Sequence, residues 1–177
     1  MKKNLFILLL LFLFGCTTEN VKNTAEKSTA ETCPDVFFSK EHKIYITSNE
    51  SPLKIQNIKY RAELNNFVFK KECSISDNVL TGNLSLLFIV NSENSSQKDI
   101  LLPYYIAVLS SEDEIVDIQY YNIQGVMQKD PGTSAYIETE LTDTINISVP
   151  NKDLKNNLKT NIVIGFMLDQ EKIKLLN

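Results

Sequence analysis

Residues 79–90 read Val79-Leu80-Thr81-Gly82-Asn83-Leu84-Ser85-Leu86-Leu87-Phe88-Ile89-Val90. Counting by twos from Leu84 gives Leu84, Leu86, Phe88 and Val90, an apolar set on one face of an extended chain. This is the longest strand candidate, and a face that apolar needs a second layer to cover it. Residues 100–109 (ILLPYYIAVL) return as a second central strand after the polar loop 91–99 (NSENSSQKD). Pro103 has no N–H to give to a ladder, so it marks an edge or a bulge within that strand.

The same period of two extends in both directions. Toward the C-terminus, 110–114 (SSEDE) is a tight acidic turn, 115–123 a strand, and Asp130-Pro131-Gly132 a further turn. Residues 136–141 and 145–149 alternate around Asp143, and 162–168 (IVIGFML) form the last strand. A helical pattern is confined to 150–158 (PNKDLKNNL), while 169–176 read as one amphipathic turn or a frayed tail. Toward the N-terminus, 36–38 and 43–46 are short strands, with a break at Ser51-Pro52. Ile58, Tyr60, Ala62 and Leu64 alternate with Lys59, Arg61 and Glu63, but Phe67 and Phe69 fall on the other parity. Asn65-Asn66 must therefore shift the register. About seven to nine short strands predict an all-β fold, an immunoglobulin-like antiparallel β-sandwich, with a closed barrel as the second choice.

The chain has 177 residues, 43% hydrophobic and 23% charged, an ordinary globular balance. Its formal charge is −4; without Lys2 and Lys3 the count is 16 basic against 22 acidic residues, or −6. That balance excludes the electrostatic footprint of a nucleic-acid or anionic-headgroup binder.

Met1-Lys2-Lys3-Asn4 is followed by the unbroken apolar run 5–14 (LFILLLLFLF). Ten helical residues rise about 15 Å, half of a bilayer's hydrocarbon core of about 30 Å, so residues 1–15 read as a signal peptide. Leu13-Phe14-Gly15-Cys16 resembles a bacterial lipobox, with Phe14 where a small or aliphatic residue is usual. Cys16 is then the lipidated residue and the membrane anchor. Residues 16–32 lack aromatic side chains and form an expected disordered tether, leaving 33–177 as the folded domain. Cys33 and Cys73 remain as an even pair, which in an exported protein implies a disulfide; two free buried thiols are the alternative.

Chemistry has few candidates. The single histidine, His42, stands between charged neighbours and reads as a solvated loop residue. No Gly-x-Ser-x-Gly, phosphate-cradling glycine loop or His-Glu-x-x-His is present. Glu112-Asp113-Glu114 follows no calcium-loop spacing, and Glu138 and Glu140 share the wet face of a strand. The expectation is a protein that is not an enzyme and needs no cofactor or metal. Tyr104-Tyr105 and Tyr120-Tyr121 each put one ring on either side of a sheet; Tyr105 and Tyr121 are the candidates for an interaction surface.

Four motifs carry a resemblance: Cys33-Pro34-Asp35-Val36; Tyr60-Arg61-Ala62-Glu63-Leu64 leading to Cys73; residues 102–108 (LPYYIAV); and Ile164-Gly165-Phe166-Met167-Leu168. In these the chain is similar to a family of uncharacterised lipoproteins common in alphaproteobacteria. The resemblance implies an envelope location and the sandwich fold, and implies no activity. Thr17, in place of the aspartate that retains such lipoproteins at the inner membrane, implies the outer membrane facing the periplasm. The expected function is a structural or protein-interaction role in the cell envelope, with another envelope protein as partner. A periplasmic ligand-binding accessory module is the alternative.

Overall fold

The structure, a computed structural model, describes residues 33–48, 50–77, 79–93, 98–150 and 160–176. The signal segment, Cys16, the tether and the helical pattern that follows Pro150 lie outside the described residues. Among the described residues nine strands form two sheets. They are β1 (Asp35–Phe38), β2 (Ile44–Thr47), β3 (Tyr60–Phe69), β4 (Ser74–Ser76), β5 (Val79–Ser92), β6 (Asp99–Leu109), β7 (Ile115–Val126), β8 (Thr139–Pro150) and β9 (Asn161–Phe166). A short helix, α1 (Gln170–Leu176), closes the chain, with the Asp169 carboxylate accepting the Lys172 N–H at its first turn.

One sheet has the order β1-β9-β6-β7. In the five-stranded sheet β2 pairs β3, and β3 and β4 share one side of β5 while β8 runs along the other. This is an all-β sandwich, of the two-sheet kind the sequence predicts but with its own strand order. One pair departs from antiparallel: β1 runs parallel to β9. The chain leaves β1 for the other sheet, so no hairpin dictates their direction.

The stretch 79–90 stands at the centre as its pattern requires. Leu84, Leu86, Phe88 and Val90 are each fully buried, facing Leu102, Tyr104 and Ile106 of β6 and Ile164 and Phe166 of β9. The Phe88 ring lies 5.3 Å from Tyr104 and 5.9 Å from Phe166. The Asn65-Asn66 register shift is present as a bulge between Leu64 and Asn66. Past it, Phe67 meets Phe38 edge-on at 5.9 Å. Pro103 is resolved as an edge feature. Its carbonyl accepts the Met167 N–H at 2.9 Å, so its missing N–H lies on the β9 side, where β9 has ended at Phe166. The bulge in that hairpin falls instead at Val108/Leu109.

Cys33 and Cys73 are bonded, their Cα atoms 5.0 Å apart. The bond joins the residues that lead into β1 and β4, one strand from each sheet. Gly82 makes room for it, since a Cβ there would lie 2.8 Å from Cys73 Sγ.

The sandwich stays open between β7 and β8. Tyr104 Oη donates to Asp143 Oδ2 at 2.8 Å, and Tyr121 Oη to Gln119 Oε1 at 2.7 Å. Gln119 Nε2 donates to Asp117 Oδ2 at 2.8 Å and to Ser148 O at 3.3 Å. Burial, then the hydrogen bond to Asp143, pushes the Tyr104 hydroxyl far above the usual tyrosine range, which keeps it a neutral donor. Carboxylates turned inward between two strand edges oppose the dry pairing a barrel would need.

Candidate interaction surface

Strands β6, β7 and β9 decide what the four-stranded sheet shows to solvent. In β6 the inward residues are Leu102, Tyr104, Ile106 and Val108, so Leu101, Pro103, Tyr105, Ala107 and Leu109 face outward. In β9, Val163 and Gly165 face outward on the same count. β7 reverses the usual rule. Asp117, Gln119 and Tyr121 are turned toward the interior and are half-buried, while Val116, Ile118 and Tyr120 stand outside. Tyr120 is 65% exposed and Ile115, at the start of the strand, 63%. The outer face of an antiparallel sheet is ordinarily its polar one.

The other sheet follows that pattern in part, its outer face carrying Leu87, Ile89 and Val68 among polar residues. On its outer face Asn83 Nδ2 donates to Asn146 Oδ1 at 2.7 Å, Thr144 Oγ1 to Ser85 Oγ at 3.1 Å, and Lys43 pairs with Glu63 at 2.8 Å. The two outer faces thus differ in degree: one mixes Leu87, Ile89 and Val68 with hydrogen-bonded polar side chains, while the other gathers Val116, Ile118 and Tyr120 into an exposed apolar run that gives way to Asn122 and Gln124.

A shallow groove of about 360 Å³ runs over the apolar face, lined by Tyr105, Ala107, Leu109, Ile115, Ile118, Tyr120 and Val163. One side of it is built by the residues after β1. Ser39 N–H donates to Ile164 O at 2.8 Å and Phe166 N–H to His42 O at 2.7 Å, which lays His42 across β9. The His42 ring meets Tyr105 edge-on at 5.7 Å. Gly165 beneath them has no alternative: a Cβ there would lie 2.6 Å from Tyr105 Oη and 2.8 Å from His42 Cβ. His42 is therefore half-buried rather than solvated, and its buried Nδ1 has no hydrogen-bond partner among the described residues.

At one end of the face the β6–β7 turn carries Glu112, Asp113 and Glu114, all exposed. Ser110 Oγ accepts the N–H groups of Glu112 and Glu114, and Asp113 takes a positive φ of 61°. The Cys33 end of the domain lies on the same side, since Asp35 pairs with Asn161, Asn161 with Leu109, and Leu109 with Ile115. A second groove, of about 560 Å³, is lined by Thr47, Tyr60, Ile100, Leu101 and Gln124 among others. Tyr60 Oη there donates to Leu101 O at 2.9 Å and accepts the Leu101 N–H at 3.0 Å, so its polar capacity is already used. Among the described residues no three His, Cys, Asp or Glu side chains converge as metal ligands, and no helix is long and apolar enough to cross a membrane.

Tyr105 stands on the apolar face as expected, half-buried against His42. Tyr121 does not. The register pairs Tyr104 with Tyr121 and Tyr105 with Tyr120, and Tyr121 stacks on the buried Tyr104 at 5.3 Å. Tyr120 occupies the outer position. Alternation alone says that one ring of each pair points out, and the apolar parity of β7 misleads about which. Comparison with protein-family models, with curated proteins and with solved structures finds no match.

Proposed function

We propose that this chain is a lipid-anchored protein of the cell envelope whose apolar sheet face docks another envelope protein. The observation that carries the docking role is the reversed parity of β7, which leaves Val116, Ile118 and Tyr120 in solvent while Asp117 and Gln119 take inward positions. Exposing such a face costs solubility unless something covers it, and contiguous apolar patches mark interaction sites. Tyrosine at its centre suits recognition, being large and having a polar tip. The anchor rests on the run 5–14 and Cys16, and the outer-membrane address on Thr17.

The test uses a photoreactive residue in place of Tyr120 or, as control, of Thr142 on the outer face of the other sheet, in cells that carry the full-length protein. Adducts from Tyr120 alone are the expected result; equal adducts from both positions, or none, refute the docking role. Cys16→Ser is expected to leave the protein without lipid label and outside the membrane fraction, and its retention there with label refutes the anchor.

A further inference from the structure

β7 closes one side of its sheet, and among the described strands only β6 pairs with it. Which backbone groups it leaves open follows from hydrogen-bond parity. The Met127 N–H donates to Lys98 O at 2.8 Å. Counting back by twos along the register, Gly125, Ile123, Tyr121 and Gln119 also turn their backbone groups to β6. Ile118, Tyr120, Asn122 and Gln124 then present N–H and C=O to the open side. Pro103, the partner of Asn122, agrees, since its own carbonyl points to Met167 on the β9 side. The residues with open backbone groups are thus the ones whose side chains stand on the outer face. Long edges are ordinarily blunted by lysine or proline. β7 has 12 residues with neither; its one charged residue, Asp117, is turned inward and accepts from Gln119 Nε2, so it guards the inner side of the edge toward β8 and leaves the outer side open.

We propose that β7 accepts an extended segment of a partner protein as a fifth strand of this sheet. The segment bonds the backbone of Ile118, Tyr120, Asn122 and Gln124. It carries apolar residues at alternate positions beside the outer face and basic residues where it passes Glu112, Asp113 and Glu114. This rests on the docking face described above and specifies how that face is used. Charge selects a basic segment over a second copy. Two β7 strands paired antiparallel about Tyr121 would set Glu112 beside Asp130, while Lys129 is drawn over the Tyr136 ring at 5.1 Å. A chain of net charge −4 favours a basic partner on the same ground.

The probe is a peptide of alternating valine and threonine ending in two lysines, titrated by fluorescence anisotropy against the full-length protein in detergent. Binding is expected, and Asn122→Pro should weaken it about tenfold, the equivalent of one or two backbone hydrogen bonds. Proline at that position spares the β6 ladder because the lost N–H faces the open side. Should Asn122→Pro lower the melting temperature, Gln124→Pro and a peptide N-methylated on its bonding edge carry the same test. Exchanging the two lysines for glutamates should also weaken binding. No binding, binding indifferent to both proline variants and to N-methylation, or a protein dimer that Asn122→Pro dissociates would each overturn the inference. Photo-adducts from Tyr120 that persist unchanged in Asn122→Pro overturn the added strand and leave the docking face standing. Their absence in the unmodified protein removes the docking face itself.

Discussion

Breaking the Cys33–Cys73 bond tests the claim that a single covalent tie holds the two sheets together at one end. The bond closes a loop of 40 residues. In the chain-entropy treatment that loop is worth about 4 kcal/mol, because the cross-linked unfolded chain has fewer conformations to lose. For a domain of this size each kcal/mol moves the melting temperature by about 2–4 °C, so a fall of about 8–16 °C is expected. β1 contributes only four residues and, among the described strands, pairs with β9 alone, so beyond the packing of Val36 and Phe38 the disulfide is its main tie to the other sheet. The assay is thermal circular dichroism of the oxidised protein against the reduced, alkylated protein and the Cys33→Ala/Cys73→Ala double variant. The double variant separates loss of the tie from the bulk of an alkyl group beside Gly82. Limited proteolysis of the reduced form should cut first within residues 33–57. A shift under about 2 °C in the double variant, or first cuts in β5 or β6, would refute the reasoning.

Two further outcomes follow from burial and charge. Phe88→Ala removes a fully buried ring that touches Tyr104 and Phe166, and should cost about 3–5 kcal/mol in urea unfolding. Ser85→Ala, on the opposite side of the same strand, loses the hydrogen bond from Thr144 and should cost about 0.5–1.5 kcal/mol; equal losses would contradict the facing of β5. Asp169 is held below its ordinary value of 3.8, first by its bond to the Lys172 side chain and then by the Lys172 N–H. A depressed carboxylate stabilises the fold above its unfolded pKa and ceases to as pH falls through the folded one. The α1 amide signals should therefore be steady from pH 8 to pH 5 and weaken only below about pH 4, and weakening above pH 5 would show that Asp169 is not the cap.

The sandwich could be read from the sequence wherever period two was unbroken. The set Leu84, Leu86, Phe88 and Val90 pointed inward as written, and the parity change from Leu64 to Phe67 demanded the bulge that is there. The even cysteine count anticipated the disulfide. The short β4 was missed, because three residues, Ser74 to Ser76, are too few to show a period and pair only with the start of β5. The candidate surface was half legible. A tyrosine in each pair had to face out, but choosing Tyr121 assumed that β7 buries its polar residues no more than other strands do. Its inward Asp117 and Gln119 are satisfied by each other, by Tyr121 and by Ser148 of β8, partners that no local pattern reveals. His42 was misjudged for a related reason. Its charged neighbours describe the chain beside it, whereas Gly165, more than a hundred residues later, supplies the floor it rests on.

The bulge at Leu64/Asn66 gives β3 one spare residue. Asn65 and Asn66 are exposed and polar, the kind of pair that looks dispensable, and Asn66 Oδ1 accepts the Phe67 N–H at 2.8 Å. Exchanging Asn65 for another residue leaves the count of the strand intact. Deleting Asn65 would keep Leu64 opposite Phe88, Asn66 opposite Leu87 and Phe67 opposite Leu86, so Phe67 would stay beside Phe38, whereas losing one residue between Tyr60 and Leu64 would turn the residues before the gap to the other face. Inheritance should therefore tolerate loss of a single codon at residues 65–66 while purging the same loss within residues 60–64.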